Sequence, residues 1–192
     1  MSVRETAVWG LLESVEGEDA TREGLLETPA RVAKAYEHWF SGYKSDPKDV
    51  LKVFKDGAEG YDEMVLETDI PVYSTCEHHM APFFGVAHIA YIPSGAVVGL
   101  SKLVRLVDIF ARRLQVQERL TAQIADCLND ELKPLGVGVL IQCRHMCIES
   151  RGVATPGVIT TTSALRGVIK NEPETRAEFL SLIPMVQKRG VL

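Results

Sequence analysis

The apolar positions change their period once along the chain, near residue 60, and that change sets the fold class. Before it, Val8, Leu11, Leu12 and Val15 recur at helical spacing, in a stripe that ends near Gly17. A second helix is expected from Glu27-Thr28-Pro29, with Thr28 as N-cap and Pro29 at the first helical position. Its stripe of Val32, Ala33, Tyr36, Trp39 and Phe40 reads as core packing and stops at Gly42. Arg31 and Lys34 fall on a different face, one turn apart, which by spacing alone is a solvated charged face. Everything up to about residue 55 therefore reads as helical.

Beyond residue 60 strands take over. They are expected over 64–73, interrupted at Pro71 as an edge or bulge, over 84–92, and over 96–100 after the turn Pro93-Ser94-Gly95. Residues 101–132 read as helical, with Leu103, Leu106, Val107, Phe110 and Leu114 on one side. A break is expected near Arg112-Arg113, with a new helix starting close to Gln115. The last clear strand is 137–149, where alternation puts Val139, Ile141, Cys143, His145 and Cys147 on one face. Residues 151–163, rich in Gly, Thr and Pro, read as a loop, and Pro173 opens a C-terminal helix. Helices followed by antiparallel strands around a long helical pair make an α+β chain. Its expected division is a helical region over 1–58 and a catalytic domain over 59–192.

Composition narrows the function. The 192 residues, 46% hydrophobic and 24% charged, suit an ordinary globular protein with one good core. No apolar run is long enough for a bilayer span, so no membrane partner is expected. The first residues carry acids early and lack a small-residue cleavage site, unlike a secretory signal. Four cysteines are then expected as thiols or ligands in a reducing, cytoplasmic compartment. A formal charge of −5 argues against a general nucleic-acid binder, so any phosphate must be held by a local basic cluster.

The chemistry concentrates in Cys76-Glu77-His78-His79, answered far downstream by His145-Met146-Cys147. Cys76, His79 and Cys147 are good ligands for a borderline-soft divalent metal, most plausibly zinc, and His78 and His145 are spare proton carriers. Three protein ligands suit a catalytic site, whereas a structural site would take His78 or His145 as a fourth. Cys143, four residues from Cys147, is too far along an extended strand to share one ion. Cys127 reads as a small core residue. Gly99-Leu100-Ser101-Lys102, with Arg105 one turn on, could seat a phosphate at a helix start, although a plain serine cap is the commoner pattern. In Gln117-Glu118 the carboxylate can accept two N–H bonds from a guanine edge. Arg151 could add charge at the same mouth, or be an ordinary loop arginine.

Taken together, REGLLETPARVAKAY, STCEHHMAPFFG, YIPSGAVVGLSKLVRLVDIFARRLQVQERL, HMCIESRG, TTTSALRG and TRAEFLSLI make this chain resemble the GTP cyclohydrolase I family, from about residue 23 to 183. The resemblance implies a tunnelling fold: a small antiparallel sheet with two helices on one side, preceded by an N-terminal helical hairpin. It also implies sheets that close into a barrel in homodecamers, with active sites between subunits. By the same likeness Cys76, His79 and Cys147 would bind zinc, and His78 and His145 would transfer protons. Gln117 and Glu118 would face the purine of GTP. Ser101, Lys102, Arg105 and Arg151 would hold the triphosphate, with Arg31 and Lys34 contributing from the N-terminal helix, possibly of another subunit. The implied product is 7,8-dihydroneopterin triphosphate plus formate, the entry to pterin synthesis. Departures are small: Cys143 stands where alanine is usual, and the loop VATPGVITTTS carries a Pro-Gly. A zinc nucleoside deaminase would need His-x-Glu and a later Pro-Cys-x-x-Cys, and neither occurs. A pterin-forming or pterin-binding enzyme of the same fold would also suit these residues, as would a zinc-stapled oligomeric scaffold that only senses nucleotide.

Overall fold

The computed structural model describes residues 1–56 and 58–183 and divides the chain into two compact units, one ending at Ser41 and the other beginning at Gly42. In the first, α1 (Val3–Glu13) starts from a capping box: the Ser2 hydroxyl accepts from the Glu5 N–H, and the Glu5 carboxylate accepts from the Ser2 N–H. The second helix, α2 (Thr28–Trp39), is capped by Glu27 rather than Thr28, which places Pro29 at the second helical position. An Arg4–Glu37 ion pair links the two helices. The expected core packing of the α2 stripe is only partial. Val32, Ala33, Tyr36 and Phe40 are half-buried and Trp39 is 49% exposed. Two helices alone can cover only one seam of each other, which leaves the rest of each apolar face uncovered.

The second unit is a sheet with helices on both faces. Its strands are β1 (Val53–Phe54), β2 (Val65–Cys76), β3 (Pro82–Ile92), β4 (Val97–Val98), β5 (Leu114–Gln115), β6 (Gly136–His145) and β7 (Thr160–Arg166). Five of them form the main sheet in the order β5-β2-β3-β6-β7, antiparallel except where β5 runs parallel to β2. The pair β1–β4 forms a separate ribbon, so residues 53–54, expected as helix, are strand. Pro71 lies within β2, where among the described residues no strand pairs on the outer side, and the bulge falls instead between Glu67 and Ile70.

Two helices, α3 (Leu100–Ala111) and α4 (Gln117–Leu132), cover one face. Leu103, Leu106, Val107 and Phe110 pack with Leu120, Ile124 and Leu128 against Val72, Ile89, Val139 and Ile141. The other face is partly covered by α6 (Gly167–Asn171) and α7 (Pro173–Leu182), whose Ile169 and Phe179 sit on Ala90, Ile92 and Leu140. Gly138 makes room for this, because a Cβ there would lie 3.0 Å from the Phe179 ring.

Two expectations change near the chain's chemistry. The strand expected over 137–149 ends at His145, and the chain turns into a single helical turn, α5 (Met146–Glu149). The region read as a loop over 151–163 ends in β7, whose Thr-rich sequence alternates half-buried and exposed positions at its start. Threonine is a good strand former, and the preceding Gly and Pro masked that signal.

Two hydrogen bonds fix how α3 lies along the sheet. Just before it, the Val98 N–H donates to Tyr91 Oη (3.1 Å), and at its end Ala111 O accepts from Ser74 Oγ (2.7 Å). The helix thus runs from one end of the sheet to the other, a rise of about 18 Å.

Candidate metal and proton-transfer site

One end of the sheet is where β2 stops, β3 starts and β6 turns into α5. The loop from Cys76 to Ala81 is tight: Cys76 N–H donates to Ala81 O and Met80 N–H to Cys76 O, both at 2.8 Å. Met80 takes a left-handed backbone, φ 53°, to close it. Glu77 N–H donates to Gln115 O (3.0 Å), extending the β2–β5 pairing by one bond. On the neighbouring strand, Phe83 is in register with His145.

This geometry brings together one ligand atom each from Cys76, His79 and Cys147, all within 4.8 Å of one another. A tetrahedral zinc ion, with Zn–S near 2.3 Å and Zn–N near 2.0 Å, needs ligand atoms roughly 3.5–3.8 Å apart, so the set fits with a small closure. Cys76 is buried, Cys147 half-buried and His79 exposed, which opens the site on the histidine side. Among the described residues no fourth His, Cys, Asp or Glu joins the three. Burial and the neighbouring Cys76 hold the Cys147 thiol above its ordinary pKa. A divalent cation reverses that preference, because it stabilises two thiolates side by side.

Cys147 reaches the group by a route other than strand alternation. It sits in α5, so His145 and Cys147 do not share a strand face. The reversal is braced by an ion pair between Arg144 on β6 and Glu149 on α5, which keeps the Glu149 carboxyl below its ordinary pKa. Cys143 is buried in the main core, and desolvation pushes its thiol up to about 12. Cys127 packs half-buried against the same core, its thiol raised to about 11 chiefly by burial.

His145 is held on two sides. Its ring stacks on Phe83, with centroids 4.7 Å apart and planes 7° from parallel. Its Nε2 lies 2.8 Å from Gln117 Oε1. The Gln117 amide nitrogen donates to Ile141 O, Thr160 O and Thr162 Oγ1, each at 3.0 Å. Donation to two carbonyls fixes the amide orientation, so Oε1 accepts and His145 carries a proton on Nε2. Gln117 is 2% exposed, and its side-chain oxygen is turned onto His145. Thr121 Oγ1 donates to Gln117 O (2.7 Å) and meets Thr162 Oγ1 at 2.6 Å, completing the support. Burial lowers the His145 pKa, partly offset by the charge of Glu118. Phe83, Thr121 and Thr162 were not legible as site residues; only the strand register and the packing of α4 on the sheet expose them.

The remaining candidates are spread out. His78 is exposed, its ring edge-on to His79 at 6.3 Å and outside the ligand group. Arg151 is exposed and Nη1 donates to His79 Nε2 (2.8 Å). A metal on either nitrogen of His79 would free Arg151, because it would take the lone pair at Nε2 or leave the ring proton there. Glu118 is exposed on the first turn of α4. Ser101, Lys102 and Arg105 occupy the first turns of α3, where Gly99 is the N-cap, so the Ser101 hydroxyl does not cap the helix. That turn is at the far end of the sheet: from Phe83 to Tyr91 along β3 is about 27 Å. Arg31 and Lys34 are exposed on α2, and Arg31 pairs with Glu27.

Comparison with known proteins places most of the chain beside a single family. The family model for GTP cyclohydrolase I matches residues 4–184. A GTP cyclohydrolase 1 of Janthinobacterium sp. (strain Marseille) is 60% identical over 177 residues, covering 92% of this chain and 89% of that protein. That of Nitrosospira multiformis is 58% identical over 174 residues, covering 91% of each. That of Corynebacterium glutamicum is 57% identical over 182 residues, covering 94% of this chain and 92% of the relative.

Proposed function

The chain belongs to the GTP cyclohydrolase I family of enzymes, and we propose that it converts GTP to 7,8-dihydroneopterin triphosphate and formate with the help of zinc. The observation that supports this most directly is the meeting of Cys76, His79 and Cys147 beside the His145–Gln117 pair. Zinc held by those three residues would supply the Lewis acidity that makes water nucleophilic at neutral pH.

The chain's own residues do the rest. Guanine C8 is a poor electrophile until N7 is protonated. His145, whose Nε2 is committed to Gln117, has Nδ1 as its exchangeable position and delivers that proton. Gln117 acts through His145 by fixing its ring, and Phe83 limits its rotation. His78, exposed beside the ligand loop, carries protons during ring opening, sugar rearrangement and closure of the new ring. Glu118 accepts from the guanine N1–H and amino group. Ser101, Lys102, Arg105 and Arg151 hold the triphosphate, with Arg31 and Lys34 in supporting places.

Self-association completes the site. The phosphate-binding turn of α3 and the metal loop stand at opposite ends of one sheet, so one copy's α3 serves another copy's metal. Among the described residues the outer edge of β2 is unpaired over most of its length and β7 is the opposite edge, which suits edge-to-edge closure into a barrel. A decamer of two stacked pentamers is the assembly that family likeness implies. A cytoplasmic setting fits thiols that must stay reduced to bind metal, and none of the described helices is long and apolar enough to cross a membrane.

The test is to incubate zinc-loaded protein with GTP and assay formate together with a pterin that fluoresces after oxidation. Equimolar formate and pterin is the expected result. Ammonia without formate, or nucleotide binding without product, overturns the proposal.

A further inference from the structure

The ligand loop is gripped by a charged contact outside the metal and proton-transfer residues. Glu77 lies between Cys76 and the two histidines, and its carboxylate is paired with the Arg119 guanidinium of α4. Arg119 is itself anchored: Nε donates to Gln115 Oε1 and Nη2 to Leu114 O, both at 3.1 Å. Gln115 is 1% exposed, and its amide nitrogen donates to Phe110 O (3.0 Å) and Gln123 Oε1 (2.9 Å). The line of contacts therefore runs from the buried end of α3, through Gln115 and Arg119, to the loop that presents Cys76 and His79.

Placement gives this contact its meaning. Arg119 is two residues after Gln117 on the first turn of α4, and Gln117 holds His145. One helical turn thus sets the position of the metal loop with one side chain and of the proton carrier with another. Without Arg119 the loop would keep its backbone bonds to Ala81 and Gln115 and the Arg151–His79 contact, but would lose the side-chain tether at Glu77.

We propose that Arg119 is a positioning residue that sets the spacing of Cys76 and His79 through Glu77, and so tunes metal affinity and links the metal loop to His145. The inference rests on the metal-site reading above. Groups that orient ligands from outside the coordination sphere typically change affinity by about 10–100-fold. As a surface ion pair alone the contact would be worth little to folding. The two roles therefore predict different measurements.

The experiment measures zinc affinity by chelator competition and the visible spectrum of the cobalt-substituted protein, alongside the melting temperature of metal-free samples. Wild type, Arg119→Ala and Glu77→Gln are compared. The expected result is zinc affinity weakened about 10–100-fold in Arg119→Ala, less in Glu77→Gln, with shifted cobalt bands and a nearly unchanged metal-free melting temperature. Arg119→Lys, which keeps the charge, should recover part of the affinity. Wild-type zinc affinity and spectrum in both Arg119→Ala and Glu77→Gln overturn the inference, whether or not the melting temperature falls. If Arg119→Ala does not fold, Glu77→Gln decides alone, because it keeps the loop's volume and removes only its charge. Failure of wild type to bind zinc would instead overturn the metal-site reading.

Discussion

The two ends of the main sheet are built on different principles. At the end formed by Cys76, Phe83 and His145, one chain supplies the candidate ligand group, the imidazole of His145, the amide that orients it and the ring that stacks on it. At the end where α3 begins, Ser101 and Arg105 are exposed and Lys102 is half-buried, and the cap is a glycine with no side-chain bond. The first end is held by backbone register and buried amides. The second offers free helix N–H groups and flexible cations, a pattern suited to a mobile anionic ligand. Under the proposed function, a site divided this way would bind the reacting base rigidly and the triphosphate adaptively, and would couple activity to assembly.

The contrast predicts where damage is greatest. Cys147→Ser removes a ligand from the rigid end, where nothing on the flexible end can compensate. Turnover should fall by more than the ~100-fold that supporting residues cost, with zinc content lost in parallel. A variant that kept zinc and turnover would show that the group is not the catalytic centre.

Mixing comes next in size. Cys147→Ser protein and a Lys102→Ala/Arg105→Ala variant should each be nearly inactive alone. If the two ends serve one site from different copies, scrambling the subunits makes about a quarter of the sites whole, since each half is intact in about half the chains. Recovery toward that fraction is the expected outcome, read as formate release after co-refolding. Activity no greater than the sum of the two separate proteins would mean that each chain works alone.

Arg105→Ala by itself should act more gently. Loss of one charge–phosphate contact is worth about tenfold in KM for GTP, with a smaller change in kcat. The KM of the variant should also rise less steeply with salt, because fewer screened pairs remain. An unchanged salt response would place Arg105 away from the triphosphate.

The two ends also differ in how far they could be read from residues alone. Cys76, His79, Cys147, His78 and His145 stood out because ligand types and spacing are local properties. Leu103, Leu106, Val107 and Phe110 were legible as a buried stripe for the same reason, and all four are in the core. The turn after His145 was not legible, because apolar and polar residues continue to alternate through Met146-Cys147-Ile148 whether the backbone is strand or helix. The direction of the Gln117 side chain was not legible for a related reason. Its direction depends on Ile141, Thr160 and Thr162, which are remote in sequence and meet it only through the packing of α4 on β6 and β7. Strand β7 was hidden by the Gly- and Pro-rich run before it. What failed was long-range placement, not residue chemistry.

The smallest effect comes from the middle of the sheet and serves as a control, since it belongs to neither end. His88 on β3 is fully buried, and its Nδ1 accepts from the Asp69 N–H (3.3 Å) at the β2 bulge. Burial lowers its pKa, with partial offsets from the Asp69 charge and the Gln142 side chain. The folded protein therefore holds His88 neutral where the unfolded chain, with an ordinary value near 6.5, takes up a proton. Below that value the unfolded state binds more protons, so stability falls as pH falls toward the lowered folded pKa and is fully present above 6.5. His88→Gln should cost about 1 kcal/mol at pH 8, as many buried substitutions do. It should also flatten the loss of melting temperature on acidification through the range below 6.5. Zinc affinity and the mixing result should not change in this variant. If they did, the sheet would be transmitting strain between its ends, and the division into one rigid and one adaptable half would have to be abandoned.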